Sequence, residues 1–381
     1  METTQILLSA GRSAWANRAP FRARRWLRGG HVQTIASFLL PRKIHLPAPE
    51  ERLVEVAPGI KVRCWCYWQG AESAERGAEK SAEGGSEKDA RIHPLTLIVV
   101  HGLEGSSDSQ YMRGVARDGL AAGMNVVLMN QRNCGGMDHF APTLYNSSLS
   151  GDVAAVVRNV IEHDRVSRFA LIGFSMGGNL VLKLAGEWGR GGDGDRNGEE
   201  SRVGNGSAPP QFRAVAAVCP AIDLAASADA LHEPRNRIYE YYFLMQLFRR
   251  LRRKARLFPG KFDVSRLRGI STLRQFDDRI TAYYCGFAGA DDYYARAAAA
   301  NVIDRIAVPA LIIHSANDPF IRLTAETQRR IAANPNITYV ETDDGGHCAF
   351  LGEQNLGERN GNSADDGRWA EREVVEFVAA Q

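Results

Sequence analysis

A serine flanked by glycines stands where a strand-like segment meets a helix-like one. Ser175 lies in Gly173-Phe174-Ser175-Met176-Gly177; residues 169–172 form an apolar run, and residues 180–185 carry apolar residues at helical spacing. So sharp a turn strains the serine backbone and leaves room only for small neighbours. The pattern predicts an exposed nucleophilic hydroxyl at a helix N-terminus, where the helix dipole favours an oxyanion. The alternative is a turn whose serine only caps the helix.

Two more candidate catalytic residues follow later strands. Residues 308–315 are typical of a buried parallel strand, and Asp318 comes just after it, where the functional edge of an open α/β sheet lies. His347 lies on a glycine-rich loop after the short strand-like run 337–340. The order Ser, Asp, His predicts that Asp318 orients His347 as the general base for Ser175. Taken singly, Asp318 also fits a turn-forming Asn-Asp-Pro and His347 a surface histidine.

The sequence also predicts two oxyanion donors. Residues 95–100 form a continuous apolar strand that runs into His101-Gly102-Leu103-Glu104-Gly105. Where a serine stands at such a turn, the loop after this strand gives one backbone N–H and the residue after the serine gives the other. We therefore expect the N–H groups of Leu103 and Met176 to bind the oxyanion. His101 ends the strand, which favours a structural hydrogen bond under the loop over a role as the base.

Length and charge bound the remaining possibilities. A chain of 381 residues that is 44% hydrophobic is long enough for one elaborated domain, or a core with a lid. The net charge of +3 is spread along the chain except in two arginine-rich segments, residues 18–28 and 249–256. We favour solvated helix faces for both segments, and no motif suggests a nucleic-acid partner. Weak contact of residues 18–28 with a membrane surface is the alternative.

Several features favour a cytoplasmic enzyme without a cofactor. No apolar run approaches the length of a membrane span, and residues 1–10 lack the pattern of a signal peptide. Six scattered cysteines fit reduced thiols, and Cys64-x-Cys66 has no second pair for zinc. We therefore expect no metal and no organic cofactor. Cys348, beside the predicted base, is expected to make the site sensitive to thiol reagents.

The order of segments predicts an α/β fold. Strands and helices alternate from about residue 95, which is typical of a mostly parallel sheet with helices on both faces, and residues 53–57 and 61–68 read as a hairpin. The glycine- and charge-rich residues 70–90 and 189–210 are expected to be mobile insertions. Residues 1–50 form an N-terminal basic and aromatic segment, residues 51–218 and 306–381 the core, and residues 219–305 a helical cap. We expect most of the cap's aromatic residues to be packed in its core and some to line an acyl pocket; the candidates are Tyr241, Tyr242, Phe243, Tyr283, Tyr284 and Phe287.

Taken together, these motifs resemble the α/β-hydrolase superfamily, and its YheT-like branch in particular. Gly30-His31-Val32-Gln33-Thr34-Ile35 resembles that branch's G-H-x-Q-T-I signature, and residues 101–107, 130–136 and 346–350 resemble its other motifs. The resemblance implies hydrolysis of carboxylic esters, with esterase or acylglycerol lipase activity, and the same triad of Ser175, Asp318 and His347. The branch commonly has an H-x4-D motif credited with acyltransferase activity, but here Asn146 takes the histidine position.

The predicted function is that of a serine hydrolase that cleaves short- to medium-chain acyl esters or acylglycerols through an acyl-enzyme. Its partner would be a small-molecule or lipid ester. One alternative is a thioesterase or acyltransferase that uses the same triad. The other is a catalytically silent member that only binds a ligand.

Overall fold

The computed structural model describes residues 5–8, 18, 20–70, 94–189, 206–353 and 366–381. Most of the two predicted insertions, residues 70–90 and 189–210, therefore lies outside the described residues, as does most of the segment examined for a signal peptide. Within the described ranges no helix combines the length and the hydropathy needed to cross a membrane.

The centre of the fold is a mostly parallel sheet, as predicted. Its order across the described part of the chain is β1-β9-β8-β7-β6-β4-β5-β3-β2. The strands from β9 to β5 pair in parallel, whereas β1, β3 and β2 are antiparallel to their neighbours. The predicted hairpin is β2 and β3. The strand bounds are Gln5–Leu8 (β1), Glu50–Ala57 (β2), Ile60–Tyr67 (β3), Thr96–Val100 (β4), Asn125–Met129 (β5), Phe169–Phe174 (β6), Phe212–Val218 (β7), Ala310–Ser315 (β8) and Ile337–Thr342 (β9).

Helices cover both faces of the sheet. Apolar residues of α3, α4 and α10 pack with one face, and those of α2 and α11 pack with the other, so two buried clusters enclose the central strands. The helix bounds are Gly30–Leu39 (α1), Gln110–Ala121 (α2), Ser150–Asp164 (α3), Met176–Trp188 (α4), Leu224–Leu231 (α5), Arg237–Leu257 (α6), Leu273–Phe276 (α7), Tyr283–Cys285 (α8), Ala290–Ala297 (α9), Ala325–Ala333 (α10) and Trp369–Ala379 (α11). Because β4 and β6 are buried along their whole length, the loops that follow them meet at the carboxyl edge of the sheet.

A helical insertion lies between β7 and β8, as the fold prediction required. It consists of α5 to α9, with a π-helical turn at Asp277–Ala282, and has an apolar cluster of its own. Three of its predicted core aromatics, Tyr241, Tyr242 and Tyr283, are instead largely exposed. The packing expectation was wrong for them because they lie on the outer sides of α6 and α8. The boundaries assigned to the three segments stay a prediction.

The two ends of the chain add elements that the periodicity did not predict. Strand β1 pairs antiparallel with β9 and extends the sheet by one strand. Helix α11 contributes Val374, Val375, Phe377 and Val378 to the second core cluster. The early strand therefore extends the sheet beyond β9, whereas α11 packs mainly against α2 and β7.

Candidate active site

Ser175 occupies the sharp turn between β6 and α4. Its φ of 53° and ψ of −119° lie outside the regions that side chains favour, and its N–H donates to the Val218 carbonyl over 2.9 Å. A Cβ added at Gly173 would lie 2.3 Å from the Gly177 carbonyl oxygen, and one added at Gly177 would lie 2.3 Å from the Val100 carbonyl oxygen. The small neighbours expected from the sequence are therefore required by contact with the backbone. The turn holds the hydroxyl above the sheet edge.

Ser175, His347 and Asp318 form one chain of hydrogen bonds. The Nε2 of His347 lies 3.0 Å from Ser175 Oγ, and its Nδ1 lies 2.8 Å from Asp318 Oδ2. Asp318 Oδ1 accepts from the N–H groups of Phe320 and Ile321 at 3.0 and 2.9 Å, so the carboxylate is held on both sides. The ionised Asp318 accepts a hydrogen bond from Nδ1–H of His347. The Nε2 atom then carries no proton and can accept the hydrogen bond of the serine hydroxyl.

The charges of this pair shift both of its pKa values. Burial alone would raise the pKa of Asp318, but the charge and hydrogen bond of His347 outweigh it and hold that pKa below its usual value. Burial alone would lower the pKa of His347, and the Asp318 carboxylate reverses that shift and raises it above the ordinary imidazole value. Each partner therefore stabilises the charged form of the other.

The loop after β4 leaves one N–H group available beside the serine. The Gly102 N–H donates to the Tyr111 hydroxyl over 3.0 Å, and the Glu104 N–H donates to the Tyr145 hydroxyl over 2.9 Å. Among the described residues, the Leu103 N–H between them has no hydrogen-bond partner. The two tyrosines thus fix the loop on either side of the predicted donor.

The second candidate donor is Met176, the first residue of α4. Its N–H likewise has no partner within the described ranges, as expected for the first turn of a helix. The oxyanion loop, residues 101–105, passes close to the nucleophile: a Cβ added at Gly102 would lie 3.1 Å from Ser175 Cβ. The two candidate donors therefore lie on segments that meet beside Ser175.

His101 has a structural position, as expected. Its ring is fully buried, and its Nε2 accepts from the Gln131 N–H over 3.1 Å. Its Nδ1 must then carry the proton, which it donates to the Gly102 carbonyl over 2.7 Å. Burial lowers the pKa of His101 to about 4, so the ring is neutral under physiological conditions.

An ion pair joins the oxyanion loop to the cap. Arg250 of α6 donates Nε and Nη2 to the two carboxylate oxygens of Glu104 at 2.8 and 2.9 Å. Glu104 has a positive φ of 56°, and its Oε1 also accepts from the Tyr145 hydroxyl. Lys254, one turn further along α6, is buried and donates to Asn133 Oδ1 over 2.9 Å. The expected solvated face for residues 249–256 was therefore wrong for these two side chains, which point inward.

Helix α1 supports the loop that carries His347 (the histidine loop, residues 343–350). The His347 N–H donates to Thr34 Oγ1 over 2.8 Å, and the hydroxyl donates in turn to the Gly30 carbonyl over 2.6 Å. Gln33 is fully buried and bonds the Leu351 backbone through both its amide nitrogen and its amide oxygen. These contacts give the G-H-x-Q-T-I motif a physical role that its residues alone did not indicate.

A mostly apolar pocket opens at Ser175 under the cap. Its walls are largely aliphatic and aromatic side chains, including Leu144, Leu224, Ala228, Leu247, Phe276 and Phe320. Of the aromatic residues proposed for an acyl pocket, Phe243 lines it. Asp277 at the pocket wall accepts from the hydroxyls of Tyr294 and Thr281 at 2.7 Å each, and burial raises its pKa to about 6. The shape and polarity suit an apolar acyl chain.

The six cysteines are free thiols, and two of them lie beside the candidate base. Cys348 Sγ lies 3.9 Å from His347 Nε2, and the Cys348 N–H donates to Cys219 Sγ over 3.4 Å. Two overlapping sets have ligand atoms close enough for a metal ion: Cys219 with His347 and Cys348, and Cys219 with His314 and Asp318. Both sets share a residue with the Ser175 hydrogen-bond chain, so a metal there would compete with it.

Comparisons with known proteins agree with this architecture. A model of the alpha/beta hydrolase fold family matches residues 96–354. The chain is 30% identical over 288 residues to the putative esterase YheT of Escherichia coli K12, which covers 75% of this chain and 79% of that protein. It is 26% identical over 264 residues to the phospholipase ABHD3 of Bos taurus, which covers 69% of this chain. The match spans only 60% of the phospholipase.

A solved structure shows the same fold at low identity. The puromycin-hydrolyzing peptidase of Mycobacterium tuberculosis superposes with a TM-score of 0.50 at 14% identity, covering 90% of this chain and 40% of that one. The family match spans β4 to the histidine loop and so includes the turn at Ser175 and all three candidate catalytic residues. The chain therefore belongs to the α/β-hydrolase fold family, in its YheT-like branch of carboxylic ester hydrolases.

Proposed function

We propose that this protein hydrolyses esters of apolar carboxylic acids through an acyl-enzyme formed on Ser175, with His347 as the general base and Asp318 as its orienting carboxylate. The observation that carries the proposal is the continuous hydrogen-bond chain from Ser175 Oγ through both ring nitrogens of His347 to a buried carboxylate. A helix-capping serine would have no need of such a chain. The names of the relatives, an esterase and a phospholipase, support an ester or lipid substrate.

In the acylation step Ser175 Oγ attacks the ester carbonyl carbon while its proton passes to His347 Nε2. The carbonyl electron pair moves onto oxygen, and the N–H groups of Leu103 and Met176 stabilise the resulting oxyanion. When this electron pair re-forms the carbonyl double bond, the bond between the acyl carbon and the alcohol oxygen breaks. His347 gives its proton to the departing alcohol. Asp318 stabilises the imidazolium between these two transfers.

In the deacylation step a water molecule takes the place of the alcohol. His347 Nε2 accepts a proton from the water as its oxygen attacks the acyl carbon, and the same two N–H groups bind the second oxyanion. Collapse releases the carboxylic acid, and the proton returns from His347 to Ser175. The apolar pocket holds the acyl chain during both steps.

The residues near Ser175 favour water over a second alcohol as the acceptor. At the position where acyltransferase relatives have histidine, Asn146 Oδ1 accepts from the N–H and hydroxyl of Ser148 at 2.8 and 2.6 Å. The Asn146 amide, held by these two hydrogen bonds, does not act as a general base in addition to His347. A thioesterase or acyltransferase reaction would use the same acyl-enzyme, and product analysis with acyl-CoA and lipid alcohols distinguishes these reactions from hydrolysis.

The test is covalent labelling with a fluorophosphonate probe, followed by mass spectrometry of the adduct. We expect wild-type protein to be labelled at Ser175 and to turn over p-nitrophenyl esters. Ser175→Ala should remain folded and lose both properties. Ser147→Ala is the matched control, because it removes another hydroxyl from the same pocket and should retain both. Ester turnover by Ser175→Ala, or absence of labelling in the wild type, would overturn the proposal.

A further inference from the structure

An exposed apolar face lies on the outer side of α1 and the start of α6. Every member is a large apolar or aromatic side chain that is 41–68% exposed. The members of this α1–α6 apolar face are Val32, Ile35, Phe38, Leu39, Ile238, Tyr241 and Tyr242. Isolated exposed apolar side chains are common on protein surfaces, whereas a contiguous set of this size marks a contact with another apolar phase.

Side-chain contacts make the two helices one surface. The rings of Phe38 and Tyr242 meet edge to face with centroids 5.9 Å apart. His31 stacks on Tyr239 at 5.6 Å, and its Nδ1 lies 2.9 Å from the Tyr239 hydroxyl. On α1, Val32, Ile35 and the Phe38–Leu39 pair recur at helical spacing, so they share the side opposite the buried Gln33. The face is therefore continuous and held in place.

The two segments that carry this face are predominantly basic, and Glu233, just before the second segment, is paired with Arg235 and Arg322. Residues 20–43 contain no Asp or Glu, and residues 234–257 contain only Glu240. Glu240 is buried and bonded to His232 and to the Leu273 N–H, so it adds no exposed negative charge. Exposed basic side chains on the same two segments include Arg22, Arg25, Lys43 and Arg237. Apolar and interfacial aromatic residues edged by cations match a surface of anionic lipid.

The face lies close to the candidate catalytic residues. The inner side of α1 carries Thr34, which accepts from the His347 N–H. From α6, Tyr239 contacts Phe320 with ring centroids 5.3 Å apart, and Phe320 in turn lies 4.3 Å from the His347 ring. Phe320 also lines the pocket at Ser175. One layer of side chains thus separates the exposed face from the pocket.

We propose that the α1–α6 apolar face docks the protein on an anionic lipid bilayer and so places the pocket at the surface from which lipid esters are drawn. Phe38, Leu39, Ile238 and Tyr241 insert among the headgroups, and the flanking arginines contact lipid phosphates. The delivery of substrate rests on the ester hydrolysis proposed above; the docking itself does not. Arg18 and Arg24 of the basic segment 18–28 bond instead to Glu373, Glu376 and the backbone of residues 352 and 366.

The test compares binding to two kinds of vesicle by flotation. One contains phosphatidylcholine alone, and the other includes about 30 mol% phosphatidylglycerol. We expect wild-type protein to bind the anionic vesicles more tightly and to be released as the salt concentration rises. The double variant Phe38→Ser/Tyr241→Ser should bind at least about tenfold more weakly, because two inserted aromatic side chains are lost. The double variant Leu53→Ser/Val264→Ser is the control, since both residues are apolar, 42% and 43% exposed, and not members of this face.

Turnover of a water-soluble ester separates this proposal from the one on Ser175. The Phe38→Ser/Tyr241→Ser variant should hydrolyse p-nitrophenyl butyrate like the wild type, because its changes are outside the catalytic contacts. Absence of wild-type turnover would contradict the catalytic proposal and leave docking measurable. Equal vesicle binding by Phe38→Ser/Tyr241→Ser and the control would overturn the docking proposal. A wild-type dimer that Phe38→Ser/Tyr241→Ser converts to monomer, without vesicle binding, would overturn it in favour of a second copy as the occupant.

Discussion

Arg250 of the cap and Glu104 of the oxyanion loop form a bidentate ion pair whose N–O distances are 2.8 and 2.9 Å. The two residues are 146 positions apart, and both side chains are largely buried. Since Glu104 directly follows the predicted donor Leu103, the pair fixes the position of that donor through the cap. The cap therefore holds the loop that carries the proposed donor and also forms part of the pocket wall.

Arg250→Lys should lower kcat by about ten- to a hundredfold, because a lysine keeps the charge but cannot hold both carboxylate oxygens, and the Leu103 N–H moves. KM for a short ester should change less than kcat. Steady-state kinetics and thermal melting measure the two effects. Arg253→Met is the control, since Arg253 is half exposed and binds Asp138 outside the loop. Equal kcat for Arg250→Lys and wild type would show that the pair does not position the donor.

The acid limb of the pH profile should lie above the usual imidazole pKa of about 6.5. His347 must be neutral to accept the serine proton, and the Asp318 carboxylate raises its pKa, so activity appears only at higher pH. Asp318→Asn removes the negative charge, which should shift the acid limb of kcat/KM to lower pH and reduce the maximum rate by about four powers of ten. Asp343→Asn removes an exposed carboxylate from the loop that carries His347 and should leave the limb in place. An unshifted limb in Asp318→Asn would contradict the assigned pairing.

Thr34→Val should reduce kcat by about tenfold, because the His347 N–H loses its acceptor while the side-chain volume is kept. The loop then holds the imidazole less well, so the rate of Ser175 labelling should fall in parallel. Thr34→Ser retains the hydroxyl and should restore both rates. If Thr34→Ser is as impaired as Thr34→Val, the effect comes from packing and the hydrogen bond has no positioning role.

Ala228→Phe should shorten the range of acyl chains that the enzyme accepts. Ala228 is buried in the pocket wall, and a phenyl ring there would fill space available to the acyl chain. A series of p-nitrophenyl esters from acetate to laurate measures the change. Acetate turnover should stay within about threefold of wild type, whereas longer esters should lose most of their kcat/KM. A uniform loss at every chain length would indicate general misfolding, which a melting curve detects.

Alkylation of Cys348 should inactivate the enzyme. Its thiol is partly exposed and lies 3.9 Å from His347 Nε2, so an added group would displace the imidazole or block the pocket. Iodoacetamide should abolish turnover of wild-type protein, while Cys348→Ala should resist it. Cys285→Ala, which removes the other partly exposed thiol, should stay as sensitive as wild type. Inactivation of Cys348→Ala at the wild-type rate would place the reactive thiol elsewhere.

The position of the three candidate catalytic residues at the carboxyl edge of the sheet could be predicted from local sequence. Each of them follows a short strand whose residue pattern is easily recognised. The buried strands before Ser175 and Asp318 lie within about two residues of their predicted positions, since continuous apolar runs bounded by turn residues specify them well. The order Ser, Asp, His then required only that parallel strands end at one edge of the sheet. The structure brings the three side chains together as that argument implied.

The supporting contacts could not be predicted because they join distant segments. Arg250 reads as one of several arginines on a helix, and nothing local distinguishes it from its exposed neighbours. The antiparallel addition of β1 and the contribution of α11 depend on pairing between the two ends of the chain, which periodicity does not reveal. For α11 a signal was present, since Val374, Val375, Phe377 and Val378 recur on one helical face.

The hydrogen bond from the His347 N–H to Thr34 Oγ1 spans 313 positions of the chain. During synthesis Ser175 is added first, then Asp318, and His347 last of the three. Helix α1 is therefore synthesised long before the loop that it supports. A nascent chain that has not reached residue 347 would carry the proposed nucleophile without its base, so we expect ester cleavage only once the His347 loop has closed onto α1.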